Sequence, residues 1–141
     1  MACLFTGGQF PPFCSPMLRD PSPAVGMGWD QAFRSVLDDV LALNPSIHDG
    51  AVMVGRRTVE ARYRILGWSF RLFPPDSTYS AQPNRGSAFN SCLAMSNVAS
   101  VDCVYLQSIG GVFRFERGDI HDLRGKNGNT ALRHFLPRNR T

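Results

Sequence analysis

Long hydrophobic runs are missing from this 141-residue chain: none reaches the ~18 residues that a membrane-spanning helix needs. The start has no basic segment followed by an apolar stretch, so it does not read as a secretory signal, and a soluble, cytoplasmic protein is expected. The four cysteines (Cys3, Cys14, Cys92 and Cys103) form no Cys-x-x-Cys pair, which excludes a zinc ribbon or a thioredoxin-type motif. Cys92 and Cys103 lie in apolar segments and read as small buried hydrophobes. Cys3 and Cys14 are free to pair, but nothing in the sequence argues for an oxidising compartment. There is no Gly-x-Ser-x-Gly elbow, no Walker loop and no His-Glu-x-x-His, so three common hydrolase chemistries are excluded. Lysine is nearly missing too, since fourteen of the fifteen cations are arginine. Codon bias is the simpler explanation. The functional reading is phosphate recognition, because the guanidinium fork matches phosphate oxygens. The net charge of +4 is too small to argue for DNA binding.

What is present suits one globular domain, 43% hydrophobic and 18% charged, long enough to bury a core without staples. Charge is uneven: −2 over residues 1–48, +3 over 49–118 and +3 over 119–141. Residues 1–28 hold five prolines and four glycines, which predicts an extended arm whose Leu4, Phe5, Phe10 and Phe13 can pack on the rest. Asp30 is a candidate N-cap for a helix with Phe33, Val36, Leu37, Val40 and Leu41 on one face, ended by Pro45. Val52-Met53-Val54 reads as a short buried strand, Gly55-Arg56-Arg57 as a turn, and Thr58 to Leu66 as a second strand completing a hairpin. Gly67 to Phe73 is apolar and aromatic, and Pro74 to Arg85 reads as an exposed loop. Ser87 is a candidate N-cap for a helix to about Asn97, followed by strands at Val101 to Leu106 and Val112 to Phe115. Residues 121–141 read as a basic tail with a short helix near Ala131 to Leu136. Helices and strands interleave, so an α/β or α+β domain with a mixed β-sheet flanked by helices is expected over residues 29–120.

Two segments carry the chemistry. A carboxylate followed by glycine at the entrance to a buried strand, as in Asp49-Gly50-Ala51, lets the backbone approach a ligand closely, and the carboxylate can hold a metal ion or a base edge. Taken locally, the same residues read as an ordinary turn. Thirty-five residues after Ala51, Gly86-Ser87 opens a helix whose free N–H groups can receive an anion. Arg85 is a candidate phosphate contact or a solvated loop residue. Phe89 is a candidate base-stacking ring or a buried helix residue. His48 reads as structural rather than metal-ligating, and His121 and His134 carry no pattern.

Ile47-His48-Asp49-Gly50-Ala51-Val52-Met53-Val54 resembles the Leu-His-Asp-Gly-Ala-Val-Ile-Ile segment of the diadenylate cyclase domain family. Gly86-Ser87-Ala88-Phe89-Asn90-Ser91-Cys92 is similar, without gaps, to that family's Gly-Thr-Arg-His-Arg-Ala-Ala stretch. The likeness spans roughly residues 29 to 120, and the family's first strands and helix are not recognisable before it. It implies a diadenylate-cyclase-like fold with a nucleotide site formed by Asp49, Gly50, Ala51, Arg85, Gly86, Ser87, Phe89 and Asn90. In the family, two ATP-bound domains meet face to face and each 3′-hydroxyl attacks the partner's α-phosphate with the help of a divalent metal. Asp49 would take the acidic role near the hydroxyl and metal. The family's Arg-His-Arg, which handles phosphates and metal, reads Ala88-Phe89-Asn90 here, and its acid after the Ile-Ser pair reads Asn97. Alanine and phenylalanine neither ligate metal nor neutralise phosphate, and asparagine offers hydrogen bonds without charge. The expectation is therefore a catalytically degenerate domain that binds a nucleotide or cyclic dinucleotide as a sensor or regulatory module. No metal site and no required cofactor are expected. The partners would be the ligand and a second copy or an effector protein, with no nucleic acid or membrane. The alternatives are an active nucleotidyl cyclase, with Asp49 catalytic and Mg or Mn as cofactor, and a ligand-free scaffold that binds a protein partner.

Overall fold

The computed structural model describes residues 1–75, 81–109 and 111–124. In these, seven strands form one mixed sheet with two α-helices, an α+β architecture. The strands are β1 (Ala2–Thr6), β2 (Cys14–Pro16), β3 (Ala51–Arg56), β4 (Arg64–Leu72), β5 (Val101–Ser108), β6 (Gly111–Glu116) and β7 (Asp119–Asp122). Their spatial order is β2-β4-β3-β1-β5-β6-β7. Only β1 and β3 run parallel, in register from Ala2 opposite Val52 to Thr6 opposite Arg56; the other neighbours are antiparallel.

The helices are α1 (Phe33–Leu43) and α2 (Ser87–Met95), and they cover opposite faces of the sheet. The alternation of β1 shows this directly. Cys3 and Phe5 join the core under α2, with Phe89, Cys92, Met95 and Phe115. Ala2 and Leu4 join the core under α1, with Trp29, Phe33, Val40 and Trp68. Asp30, expected as the N-cap, stands two residues too early: Ala32 holds that position without a side-chain cap, and Asp30 instead shapes the turn before α1, its carboxylate accepting the Ala32 N–H at 2.8 Å and its carbonyl the Phe33 N–H at 3.0 Å. Pro45 ends that helix by opening a single 3-10 turn, Pro45–His48. Among the described residues, no helix is long and apolar enough to cross a membrane.

Three readings of the sequence need correction. Residues 1–28 are not an arm beside the domain. β1 lies in the middle of the sheet, buried on both faces, and β2 forms its edge along β4. A strand covered on both sides is a continuous apolar run without alternation, and Ala2-Cys3-Leu4-Phe5 is too short to stand out beside the glycines and prolines that follow. The second strand starts at Arg64 and takes in the aromatic run to Leu72, whereas Val59, expected on its buried face, is 66% exposed. The third correction is β7, which takes up the first residues of the segment expected to be a basic tail. All four of its residues are exposed, and it is held by backbone pairing to β6, so no hydrophobic pattern marks it. The helix expected near Ala131 to Leu136, and the basic tail beyond residue 124, lie outside the described residues.

Candidate functional site

The Asp49 turn is held from three sides. Behind it, Asn44 caps the 3-10 turn by accepting the Ser46 N–H at 3.1 Å, and buried Ile47 anchors it in the core. His48 Nδ1 sits 2.6 Å from the Pro45 carbonyl, so this ring closes the turn locally. Across the sheet, Ser69 of β4 donates its hydroxyl to the Asp49 carbonyl at 2.6 Å. From the N-terminal segment, Arg19 donates Nε to the Ser69 hydroxyl at 2.9 Å and places Nη2 3.6 Å from the Asp49 carboxylate. The Asp49 side chain remains 69% exposed and available to a ligand.

Gly50 follows with φ of +88°, in the region that favours glycine. A Cβ there would stand 2.6 Å from the Met17 terminal methyl, 2.8 Å from the Phe70 carbonyl oxygen and 2.9 Å from the Ser69 carbonyl carbon. Only a glycine lets β3 start this close to β4.

The N-terminal end of α2 faces this turn. Asp49, Gly50, Ser87, Ala88 and Ser91 border one cavity of about 330 Å³, closed by Met1, Met17, Phe70, Arg71 and Leu72. Two segments far apart in sequence are thus brought together, with Asp49, Ser87 and Ser91 lining the same concave surface. Gly86 is the N-cap residue of α2, with no side-chain cap, so the first-turn N–H groups are left to solvent or ligand.

The remaining candidates stand elsewhere. Ala51 is fully buried and opens β3 within the core. Phe89 is 6% exposed and meets Phe113 and Phe115 edge-on, at 5.4 and 4.9 Å between ring centres. It is a core ring, buried away from any position where it could stack on a base. Arg85 lays its guanidinium over Phe89 and Phe113, at 4.6 and 5.4 Å, and does not line the cavity. Asn90 holds the preceding loop: its side chain accepts the Gln82 N–H at 2.9 Å and donates to the Gln82 and Arg85 carbonyls. Asn97 lies beyond the far end of α2, against Gly118.

Three residues of the site had no signal in the sequence. Arg19 and Met17 reach it from the segment read as an arm. Arg71 lies within the aromatic run of β4 and brings a cation to the cavity lining. Among the described residues, no group of three or more His, Cys, Asp or Glu side chains is arranged to hold a metal ion. The thiols are not nucleophiles in waiting. All four cysteines are free, burial pushes Cys3 well above the ordinary thiol range, and it pushes Cys92 up to about 12.

Comparison of the sequence with protein-family models gives no match, and comparison with curated proteins gives none either.

Proposed function

We propose that the cavity beside Asp49 binds a nucleotide or cyclic dinucleotide, and that the chain is a sensor or regulatory module built on a diadenylate-cyclase-like scaffold without the cyclase reaction. One observation carries the reading. The two segments that resemble the family's paired motifs, Asp49-Gly50 and the Ser87 end of α2, border the same cavity. Its volume of about 330 Å³ is in the range of small-molecule sites. Asp49 can accept hydrogen bonds from a ribose or a base, the Ser87 end of α2 can receive a phosphate, and Arg71 supplies a positive charge beside it.

The donor set does not fit the divalent-metal chemistry of a cyclase. Among the described residues, Asp49 is the one carboxylate on the cavity wall, and the Arg19 guanidinium beside it offsets the charge that would attract a cation. Ala88 and Asn90 leave the phosphates without the cations that the reaction needs.

Calorimetry with ATP and with cyclic di-AMP tests the reading. Binding of one of them is expected in the micromolar range, about 8 kcal/mol. Asp49→Ala, Ser87→Ala and Arg71→Ala should each weaken it, and Arg34→Ala on α1 should not. Incubation with ATP and magnesium or manganese should yield no cyclic di-AMP; turnover abolished by Asp49→Asn would show an active cyclase instead.

A further inference from the structure

A second cavity, of about 400 Å³, opens at the other end of β3. Four strand residues, Ala51 to Val54, separate it from the Asp49-Gly50 turn, ~17 Å from Gly50 to Gly55 at the usual rise. It lies where the two parallel strands run out, at Thr6 of β1 and its partner Arg56 of β3. Crevices outside the carboxyl ends of parallel strands are common ligand sites. The strand end is followed by Gly7-Gly8, where added Cβ atoms would meet nothing within 4 Å, so the mouth is open. Phe5, Phe10 and Leu66 form an apolar lining.

Four guanidinium groups share this cavity: Arg56, Arg57, Arg62 and Arg64. Among the described residues, no acidic side chain lines it. Arg56 is fixed in place. Its Nε donates to the Thr6 hydroxyl at 2.9 Å, its Nη1 to the Val59 carbonyl at 3.0 Å, and its guanidinium lies 4.4 Å from the Tyr63 ring centre. Asp102, 3.9 Å from Arg56 Nε, offsets this one charge while accepting the Thr6 and Tyr63 hydroxyls at 2.6 Å each. Arg64 donates Nη1 to the Gly26 carbonyl at 2.9 Å, a contact that orients it without neutralising it. Among the described residues, Arg57 and Arg62 have no hydrogen-bond or ion-pair partner, and Glu60 between them pairs with neither. Three uncompensated cations around one concave surface repel each other, and an anion that bridges them relieves that repulsion.

We propose that this cavity is a phosphate-binding site, distinct from the one at Asp49, for a small ligand carrying at least two linked phosphate groups. Two features select the class. Guanidinium forks pair with phosphate oxygens through two parallel hydrogen bonds, and a cavity lined by several forks can engage more than one phosphate group of the same ligand. The apolar lining beside them accommodates an uncharged part of the same ligand.

Inorganic pyrophosphate and tripolyphosphate, titrated calorimetrically into the whole protein, are the probes. Both should bind, tripolyphosphate more tightly, and binding should weaken as salt rises. The double variant Arg57→Ala/Arg62→Ala changes two exposed side chains and should stay folded; its affinity for tripolyphosphate should fall about tenfold or more. Arg71→Ala, which removes the cation of the Asp49 cavity, should leave tripolyphosphate binding unchanged, which separates this site from the nucleotide reading. Failure to bind at about 10 mM overturns the proposal, because that is weaker than ~3 kcal/mol. So does undiminished binding by the double variant, or equal affinity for sulfate, which would mean unspecific attraction of anions. Single-stranded RNA that binds through these arginines while pyrophosphate and tripolyphosphate do not would assign the surface to a nucleic acid and refute the small-ligand claim.

Discussion

Replacing Gly50 with alanine tests the packing on which the Asp49 site depends. The cost has two parts. With φ at +88°, an L-residue is forced into a backbone region that costs about 1–2 kcal/mol. The new Cβ also meets three atoms at under 3 Å. The Met17 methyl is the end of a flexible side chain and can swing away. The Phe70 oxygen and Ser69 carbonyl carbon are backbone atoms of β4, pinned by the ladder to β3 and by the Ser69 hydrogen bond to Asp49. Relieving that overlap means separating the strands, which adds about 1–3 kcal/mol. The total of about 2–5 kcal/mol is a large share of the ~5–15 kcal/mol that stabilises a typical domain. In urea, with a slope of about 1.5 kcal/mol/M, the unfolding midpoint should fall by about 1–3 M. Gly8→Ala, whose Cβ meets nothing within 4 Å, is the control and should shift it by less than ~0.5 M. If Gly50→Ala costs less than about 1 kcal/mol, the close approach of β3 to β4 is not real, and the geometry that presents Asp49 goes with it.

Phe89→Ala should cost about 3–5 kcal/mol of stability, as for a core phenylalanine, measured by chemical denaturation. A change below ~1 kcal/mol, together with loss of nucleotide binding, would return this ring to the site. The buried thiols make the protein sensitive to alkali. Burial raises the folded-state values of Cys3, Cys92 and Cys103 above those of the unfolded chain. Their contribution is therefore complete below the unfolded thiol value, about pH 8.5, and is lost as pH rises toward the folded values, about 12 for Cys92. Stability should fall above pH ~9 by up to ~1.4 kcal/mol per unit for each thiol, and Cys92→Ala should flatten that slope in a series of denaturation curves. A profile that stays flat to pH ~11 would contradict the burial of these groups.

The parts of the fold that the sequence announces are those with one exposed face. In α1, the spacing of Phe33, Val36, Leu37, Val40 and Leu41 marks the buried stripe, and β5 and β6 lie close to where their apolar runs suggest. The parts that stay hidden are set by tertiary contacts. β1 carries no alternation because both its faces are covered. The start of β4 is obscured because Val59, Ala61 and Tyr63 mimic a strand in a segment where Arg56 hydrogen-bonds to the Val59 carbonyl and stacks on Tyr63. The Asp49 turn and the start of α2 can be paired from sequence only through resemblance to a family pattern, since neither is distinctive alone. The contacts of Arg19 with Ser69 and Asp49 span 50 and 30 residues of chain, and nothing local to any of the three foretells them. The four arginines of the second cavity are visible as charge. Their convergence depends on the loop from Arg57 to Tyr63 folding back over the ends of β1 and β3.

The most direct test of the nucleotide reading is an amide titration by NMR. Cyclic di-AMP and ATP are added in turn to isotope-labelled protein while the Gly50 and Ser87 resonances are followed. With one of the ligands, both amides should shift together along a single saturation curve with a Kd of about 10⁻⁶–10⁻⁴ M, and Asp49→Ala should weaken that curve for both. Amides that stay unmoved at millimolar concentration of either ligand, or shifts confined to Gly7 and Gly8 at the opposite end of the sheet, would contradict a nucleotide site at Asp49.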